Sequence, residues 1–303
     1  MSAGHPSIRV ELEQKFDYWG EPIMWVHNPE YIVRAIEILM AQPDNPVYTA
    51  LASIGVSEGL ESILFHHWQE GDFQIIFRVD ATSRGAEPVS LCLLLAKDGG
   101  EVSEIVDTEC RNLSALSERH PAVITPLGQG ELEMLDAESG GVEFLSYYMT
   151  PWLPDFHELG VNKEMNFFVN EEPFHDFSRA ETDQLKRDMI EICLSLYDVE
   201  TRTGIEPPLI GAGDFMVTRP VEGEALRLRL IASGPAVVYD SLDACLTALL
   251  EDQGEWGDQA FSLRPSDAAL ISDAAVAALS GMDAEDVNAA VGRVLQLIDG
   301  AER

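Results

Sequence analysis

Lys97 closes the apolar run Ser90-Leu91-Cys92-Leu93-Leu94-Leu95-Ala96, and Glu109 follows twelve positions later in a helix-like stretch. Lysine is scarce: besides Lys97 the chain has only Lys15, Lys163 and Lys186. A lone lysine ending a buried strand, with a carboxylate on the next helix, predicts an ion pair inside a cleft. The structural alternative is a lysine whose stem lies on apolar surface while its amine stays in water, beside a glutamate on a solvated helix face. Gly211-Ala212-Gly213-Asp214 adds a carboxylate after a glycine turn, without the lysine that a phosphate loop requires. His66 and His67 are adjacent on an expected strand, so they point to opposite faces and cannot chelate one metal together. His175-Asp176 follows Glu171-Glu172, a set that suits either a cation or a solvated acidic turn. No serine has the context of a nucleophile elbow.

The elements that would carry these residues are legible from pattern. Asn28-Pro29-Glu30 starts a helix whose stripe is Tyr31, Ile32, Ala35, Ile36, Ile38 and Leu39, and Gln42-Pro43 stops it. Residues 1–57 are expected to be mostly helical, with a second short helix from Val47 to Ile54. Glu61 to Trp68 and Phe73 to Val79 read as strands joined by Gln69-Glu70-Gly71-Asp72, and the Lys97 strand follows. A helix is expected from Ser103 to Glu118, then strands at Val123 to Leu127 and Val142 to Met149. After an extended connector comes a polar, aromatic stretch to His175 containing Phe167, Phe168, Phe174 and Phe177. Those rings suit an acidic docking surface or the underside of a packed loop. Ser178-Arg179-Ala180-Glu181 is a capping box opening a strong helix. A hairpin follows, Phe215 to Thr218 with Leu226 to Ile231, and then helices at Leu242–Glu251, Ser266–Leu279 and Ala284–Ile298.

Composition narrows the function classes. With 303 residues, 46% hydrophobic and a formal charge of −34, the chain is long enough for a large core and too acidic for nucleic acid or anionic membranes. A basic protein partner is electrostatically favoured. A solubility role for the carboxylates accounts for the charge equally well. Cys92, Cys110, Cys193 and Cys245 lack any C-x-x-C spacing and read as reduced core residues. The first residues show no leader pattern and no apolar run would span a bilayer, so a soluble cytoplasmic protein is expected.

From about residue 58 to 240 the order strand, strand, strand, helix, strand, strand, then a capped helix and a hairpin, resembles the protein-kinase-like fold and its aminoglycoside and choline phosphotransferase relatives. The resemblance implies an α+β, two-lobed architecture: a helical N-terminal extension at 1–57, a small antiparallel β lobe at 58–150 and a mainly helical lobe at 151–303. It gives Lys97 the phosphate-binding role and Glu109 the role of its helix partner. Ser146 to Leu153 corresponds to the hinge, where backbone such as that of Met149 would meet an adenine.

The same register removes the chemistry. Leu209 stands where the resemblance implies the catalytic base, Ala232 replaces the metal aspartate, and Asp214 replaces the metal asparagine. Leucine and alanine give no base and no metal oxygen, and one carboxylate is a thin site for magnesium. Glu70 and Asp72 flank the turn glycine where a triphosphate would need backbone N–H groups. The expectation is therefore a pseudokinase acting through a protein partner, with ATP held, if at all, without magnesium. Two alternatives stand beside it: an atypical ATP-dependent phosphotransferase using Lys97 and Asp214, and an acidic α+β chaperone or inhibitor of a basic target.

Overall fold

The computed structural model describes residues 6–12, 29–56, 58–71, 73–135, 140–161, 167–169, 174–205, 214–221, 224–233, 236–250 and 268–301. The chain is α+β and divides into two compact units, Met1–Arg111 with Thr125–Trp152, and Asn112–Ile124 with Leu153–Arg303.

The first unit is built on β1 (Ser7–Glu11), α1 (Pro29–Ala41), α2 (Pro46–Ser53), β2 (Leu60–Glu70), β3 (Gln74–Ser83), β4 (Val89–Ala96), α3 (Glu101–Ser117), β5 (Gly128–Leu135) and β6 (Val142–Pro151). Its six strands lie in the order β1-β2-β3-β4-β6-β5. All pairs are antiparallel except β1 on β2. The chain order of strand, strand, strand, helix, strand, strand expected from sequence is present as β2, β3, β4, α3, β5 and β6, and the sheet places β6 between β4 and β5. Ile32, Ala35, Ile36 and Leu39 fall at i, i+3, i+4 and i+7 of α1, and all four are buried. Asn45 caps α2 by accepting from the Tyr48 N–H, with Pro46 at the first helical position. Both helices press on one sheet face, where Ile63, Phe65, Phe77, Leu93 and Met149 complete a single core.

The described part of residues 1–57 is mostly helix, with strand β1 added to the sheet and both helices packed on it. One expectation for this region needs correction. The strand expected at Val123–Leu127 starts instead at Gly128, with Val123 making an isolated bridge to Leu230. Gly128 and Gly130 had hidden it, since glycine weakens a strand signal. Gly130 has its own reason: Tyr147 lies across it, and a Cβ there would come within 2.6 Å of the Tyr147 hydroxyl.

The second unit contains β7 (Phe156–Val161), β8 (Phe167–Val169), β9 (His175–Asp176), α4 (Arg179–Ser195), β10 (Thr203–Ile205), β11 (Phe215–Thr218), β12 (Leu228–Leu230), β13 (Ala236–Val238), α5 (Leu242–Leu250), α6 (Ala268–Ala278) and α7 (Ala284–Ala301). Strands β12-β11-β7-β8-β9 form one sheet, and β10 pairs with β13. The stretch up to Asp176 thus contains three strands, β7, β8 and β9. Phe167 and Phe177 are buried in it and Phe174 is exposed, so the aromatic cluster divides between core and surface. The expected capping box is formed: the Ser178 N–H donates to Glu181 Oε2 at 2.7 Å and the Glu181 N–H to Ser178 Oγ at 3.4 Å. The Ser178 hydroxyl first, and then its backbone N–H, hold the Glu181 carboxyl below its usual range. All four cysteines are free thiols. No helix among the described residues is long and apolar enough to cross a membrane.

Replacing Ser178 by alanine orphans a helix N-terminal donor and should cost about 1 kcal/mol. A urea midpoint unchanged in Ser178→Ala would show that the cap contributes nothing to α4.

Candidate functional site

Strand β4 carries both residues of interest to opposite destinations. Its partners in register are Cys92 with Arg78 and Thr150, and Leu94 with Ile76 and Tyr148. Side chains alternate faces along a strand. Leu91, Leu93 and Leu95 enter the core beneath α1 and α2. Ser90, Cys92, Leu94 and Ala96 take the other face, where α3 sits. There the Tyr148 hydroxyl donates to Glu109 at 2.5 Å and Gln74 Nε2 donates to its second oxygen at 2.8 Å. The Tyr148 hydroxyl is pushed well above its usual range by burial and then by the adjacent Glu109 charge, so it stays a donor. Burial pushes the Cys92 thiol up to about 12.

Lys97 follows the odd positions. Its N–H continues the ladder to the Phe73 carbonyl at 2.9 Å, and its ammonium meets Glu70 Oε2 at 3.2 Å. The Lys97 and Glu70 side chains are only 14% and 15% exposed. His67 Nε2 lies 3.6 Å from the other Glu70 oxygen, and its ring stands edge-on to Phe77. The expected Lys97–Glu109 pair is therefore not the pair formed: Lys97 joins Glu70 in the β2–β3 hairpin, while Glu109 ties α3 to β6 through a phenol. The positions of β4 that face Glu109 carry no charge. Adjacent His66 and His67 do diverge as expected, His66 lying 3.3 Å from both Glu11 and Asp80 on the opposite face.

Met149 lies inside strand β6, which runs to Pro151. Its side chain is wholly buried, and its carbonyl accepts from the Leu127 N–H at 2.7 Å. The expected hinge is thus strand through Pro151, and extended connection begins at Trp152. Sequence reading missed the polar group beside it. Arg78 bonds Asp80 at 2.9 Å and lies over the Trp152 ring at 5.4 Å; Ser90 donates to Asp80 at 2.5 Å. Trp68 stands edge-on to Trp152 at 4.9 Å. The signal was present in β3, where Arg78 and Asp80 are charged at alternate positions within the otherwise apolar run Ile75–Ala81.

In the second unit, Asp214 immediately precedes β11, and its carbonyl accepts from the Ile231 N–H at 2.8 Å. Its charge contributes, after burial and Cys245, to raising the Cys193 thiol. Ala232 is half-buried just after β12. Leu209, Gly211, Ala212, Gly213, Glu171, Glu172 and Asp72 lie outside the described residues. Asp198, another acid of this unit with defined partners, is engaged by Arg119 at 2.8 Å and by the N–H groups of Glu200 and Thr201 at 2.9 Å each. Among the described residues, no three His, Cys, Asp or Glu side chains gather as a metal would need.

A separate hollow of about 190 Å³ is lined by His120, Asp188, Glu191 and Leu228, among others. Burial holds the His120 ring below its ordinary value, Arg229 adds to this, and Glu191 opposes it. Nδ1 accepts from the Ala122 N–H at 3.1 Å, which favours the neutral ring. Asp188 is raised by burial despite its bond from Gln184.

No protein-family model matches the chain, and no curated protein matches it. Among solved structures, the crystal structure of the BubR1 kinase domain aligns at TM-score 0.34 and 10% identity, over 74% of this chain and 62% of that one. The chain thus spans less than two thirds of that domain. At this TM-score the alignment carries no argument, and the architecture rests on strand order.

Double-mutant cycles test the pairing directly. Lys97→Ala and Glu70→Ala should couple by about 1 kcal/mol or more, whereas Lys97→Ala and Glu109→Gln should add to within about 0.5 kcal/mol. Coupling in the second cycle would restore the ion pair expected from sequence.

His120 supplies a pH test. The unfolded chain protonates this ring near the ordinary value of about 6.5, and the folded chain only at lower pH. Its contribution to stability is therefore intact above about 6.5 and is lost as pH falls through the depressed folded value. His120→Gln should lose less stability than wild type between pH 7.5 and 5, read as the difference in urea midpoints. Parallel curves would refute the shift.

Proposed function

We propose that this chain is a non-catalytic, kinase-like binding module whose partner is a basic protein. The observation that carries the proposal is the separation of Lys97 and Glu109 onto opposite faces of the first sheet. Phosphoryl transfer depends on positioned positive charge and bound metal at the transferred group. Here the lysine is neutralised by Glu70, and Glu109 receives two neutral donors. The kinase-like part of the reading is supported by the order β2-β3-β4-β6-β5 with α3 between β4 and β5.

The absence of catalysis is supported by Ala232 and Leu209, which provide neither metal oxygen nor base. Asp214 alone would leave a magnesium ion short of protein ligands. The partner's basic character is supported by the charge of −34. Such a surface raises the encounter rate with cationic partners and repels nucleic acid.

Calorimetric titration of ATP, with and without magnesium, tests this on wild type and on the Lys97→Ala/Glu70→Ala double variant. The double variant removes both buried charges together and avoids stranding one of them. The expected result is that the two proteins behave alike and neither gains affinity with magnesium. Magnesium-dependent binding that the double variant loses, with turnover abolished by Asp214→Asn, would overturn the proposal in favour of an atypical phosphotransferase.

A further inference from the structure

The outer face of α1 and the β5–β6 hairpin share one continuous groove. One part, of about 770 Å³, runs along α1 past Glu30, Val33, Glu37 and Ile38. The adjoining part, of about 480 Å³, shares Ile38 and Ala41 and continues past Glu131, Glu133 and Phe144. Phe144 is 50% exposed, and beyond it Leu135 and Val142 are 52% and 53% exposed. Glu133 faces Phe144 across the β5–β6 ladder, and Leu135 faces Val142. Ile38 and Phe144 thus line one hollow with Glu131 and Glu133 at the β5 edge, and Val33 extends it along α1 between Glu30, Arg34 and Glu37.

A glutamate-rimmed edge strand has a familiar defensive use, since outward charge discourages strand addition. That use explains Glu131 and Glu133 but not the exposed Phe144, Leu135 and Val142 beside them. An apolar centre with a single-sign polar rim is the layout of a docking surface. We infer that this groove receives a basic amphipathic helix of a partner protein, its apolar stripe on Val33, Ile38 and Phe144 and its lysines or arginines against the glutamates. The inference rests on the basic-partner reading above and adds its location and the form of the ligand.

Two other occupants fit less well. A second copy of the chain would bring another −34 charge onto an acidic rim. An extended strand added to β5 would need that edge's carbonyls, and Gln42 Nε2 already donates to the Glu131 carbonyl at 2.9 Å. Gln42 is itself fixed by the Tyr147 hydroxyl at 2.9 Å. A helix lying in the groove uses side chains only and leaves this clasp intact.

The test is calorimetric titration of a synthetic leucine–lysine amphipathic helix into the full chain. Three variants accompany wild type: Glu37→Lys/Glu133→Lys in the groove, Glu200→Lys/Asp273→Lys as a control of equal charge elsewhere, and Phe144→Ser. Support requires that the groove double variant and Phe144→Ser each weaken binding by about tenfold while the control double variant does not. If wild type binds but the two double variants weaken it alike, or Phe144→Ser has no effect, the groove assignment is overturned and the basic-partner reading survives. If wild type does not bind the peptide, both fall. An acidic leucine–glutamate helix binding as well as the basic one would likewise overturn the charge complementarity.

Discussion

Strand β4 is covered on both faces, and most of the first unit follows from that. Leu91, Leu93 and Leu95 meet the α1–α2 core, while Cys92, Leu94 and Ala96 meet the α3 side. A strand buried on both sides has no reason to alternate in hydropathy, so it appears in sequence as a continuous apolar run. Its alternation persists in geometry all the same. A one-residue change in the reading of Lys97 moves it from one side of the sheet to the other, and that single parity decides whether the chain holds a charged catalytic pair or two structural contacts.

The electrostatics follow the same division. With 19 basic residues against 53 acidic ones, each cation has many carboxylates to choose from, and geometry selects. Among the described residues, Lys97 with Glu70 is the most enclosed pair formed by a lysine or arginine, so removing one member would strand a charge in low dielectric. Arg293 reaches both oxygens of Asp243 at 2.7 and 2.8 Å, and Arg119 holds Asp198 at 2.8 Å. These are surface pairs, whose worth in water is small. The scarce positive charge is thus spent on joining elements.

How much was legible depended on whether a pattern had one buried face or two. The α1 stripe, the Ser178 capping box and the three C-terminal helices were readable because each sets one apolar face against polar neighbours. The β3 and β6 strands were readable through length and β-branched or aromatic content. What failed was parity at a doubly buried strand, and hence the partners of Lys97 and Glu109. The strands β8 and β9 were also hidden, since segments of three and two residues leave no period to detect, and β7 was hidden because Gly160 interrupts its pattern. Arg78 and Asp80 were visible as alternate charges in β3, but their meaning required knowing that Ser90 and Trp152 lie across the sheet.

Glu109 shows what the kinase-like resemblance leaves behind when the lysine is taken away. Even a half-buried carboxylate needs partners, because taking its charge out of water without them costs free energy. Tyr148 and Gln74 do this with neutral donors, and both come from the sheet that α3 lies on. A carboxylate satisfied by a cation is poised to rearrange when an anion arrives to compete for that cation. One satisfied by a phenol and an amide gains nothing from an arriving phosphate. The bond that the resemblance assigns to a switchable contact therefore becomes a fixed rivet between helix and sheet. On the other face, Gln42 after α1 is bonded to the Glu131 carbonyl of β5 and the Tyr147 hydroxyl of β6, and a preformed docking groove on their shared surface requires such ties.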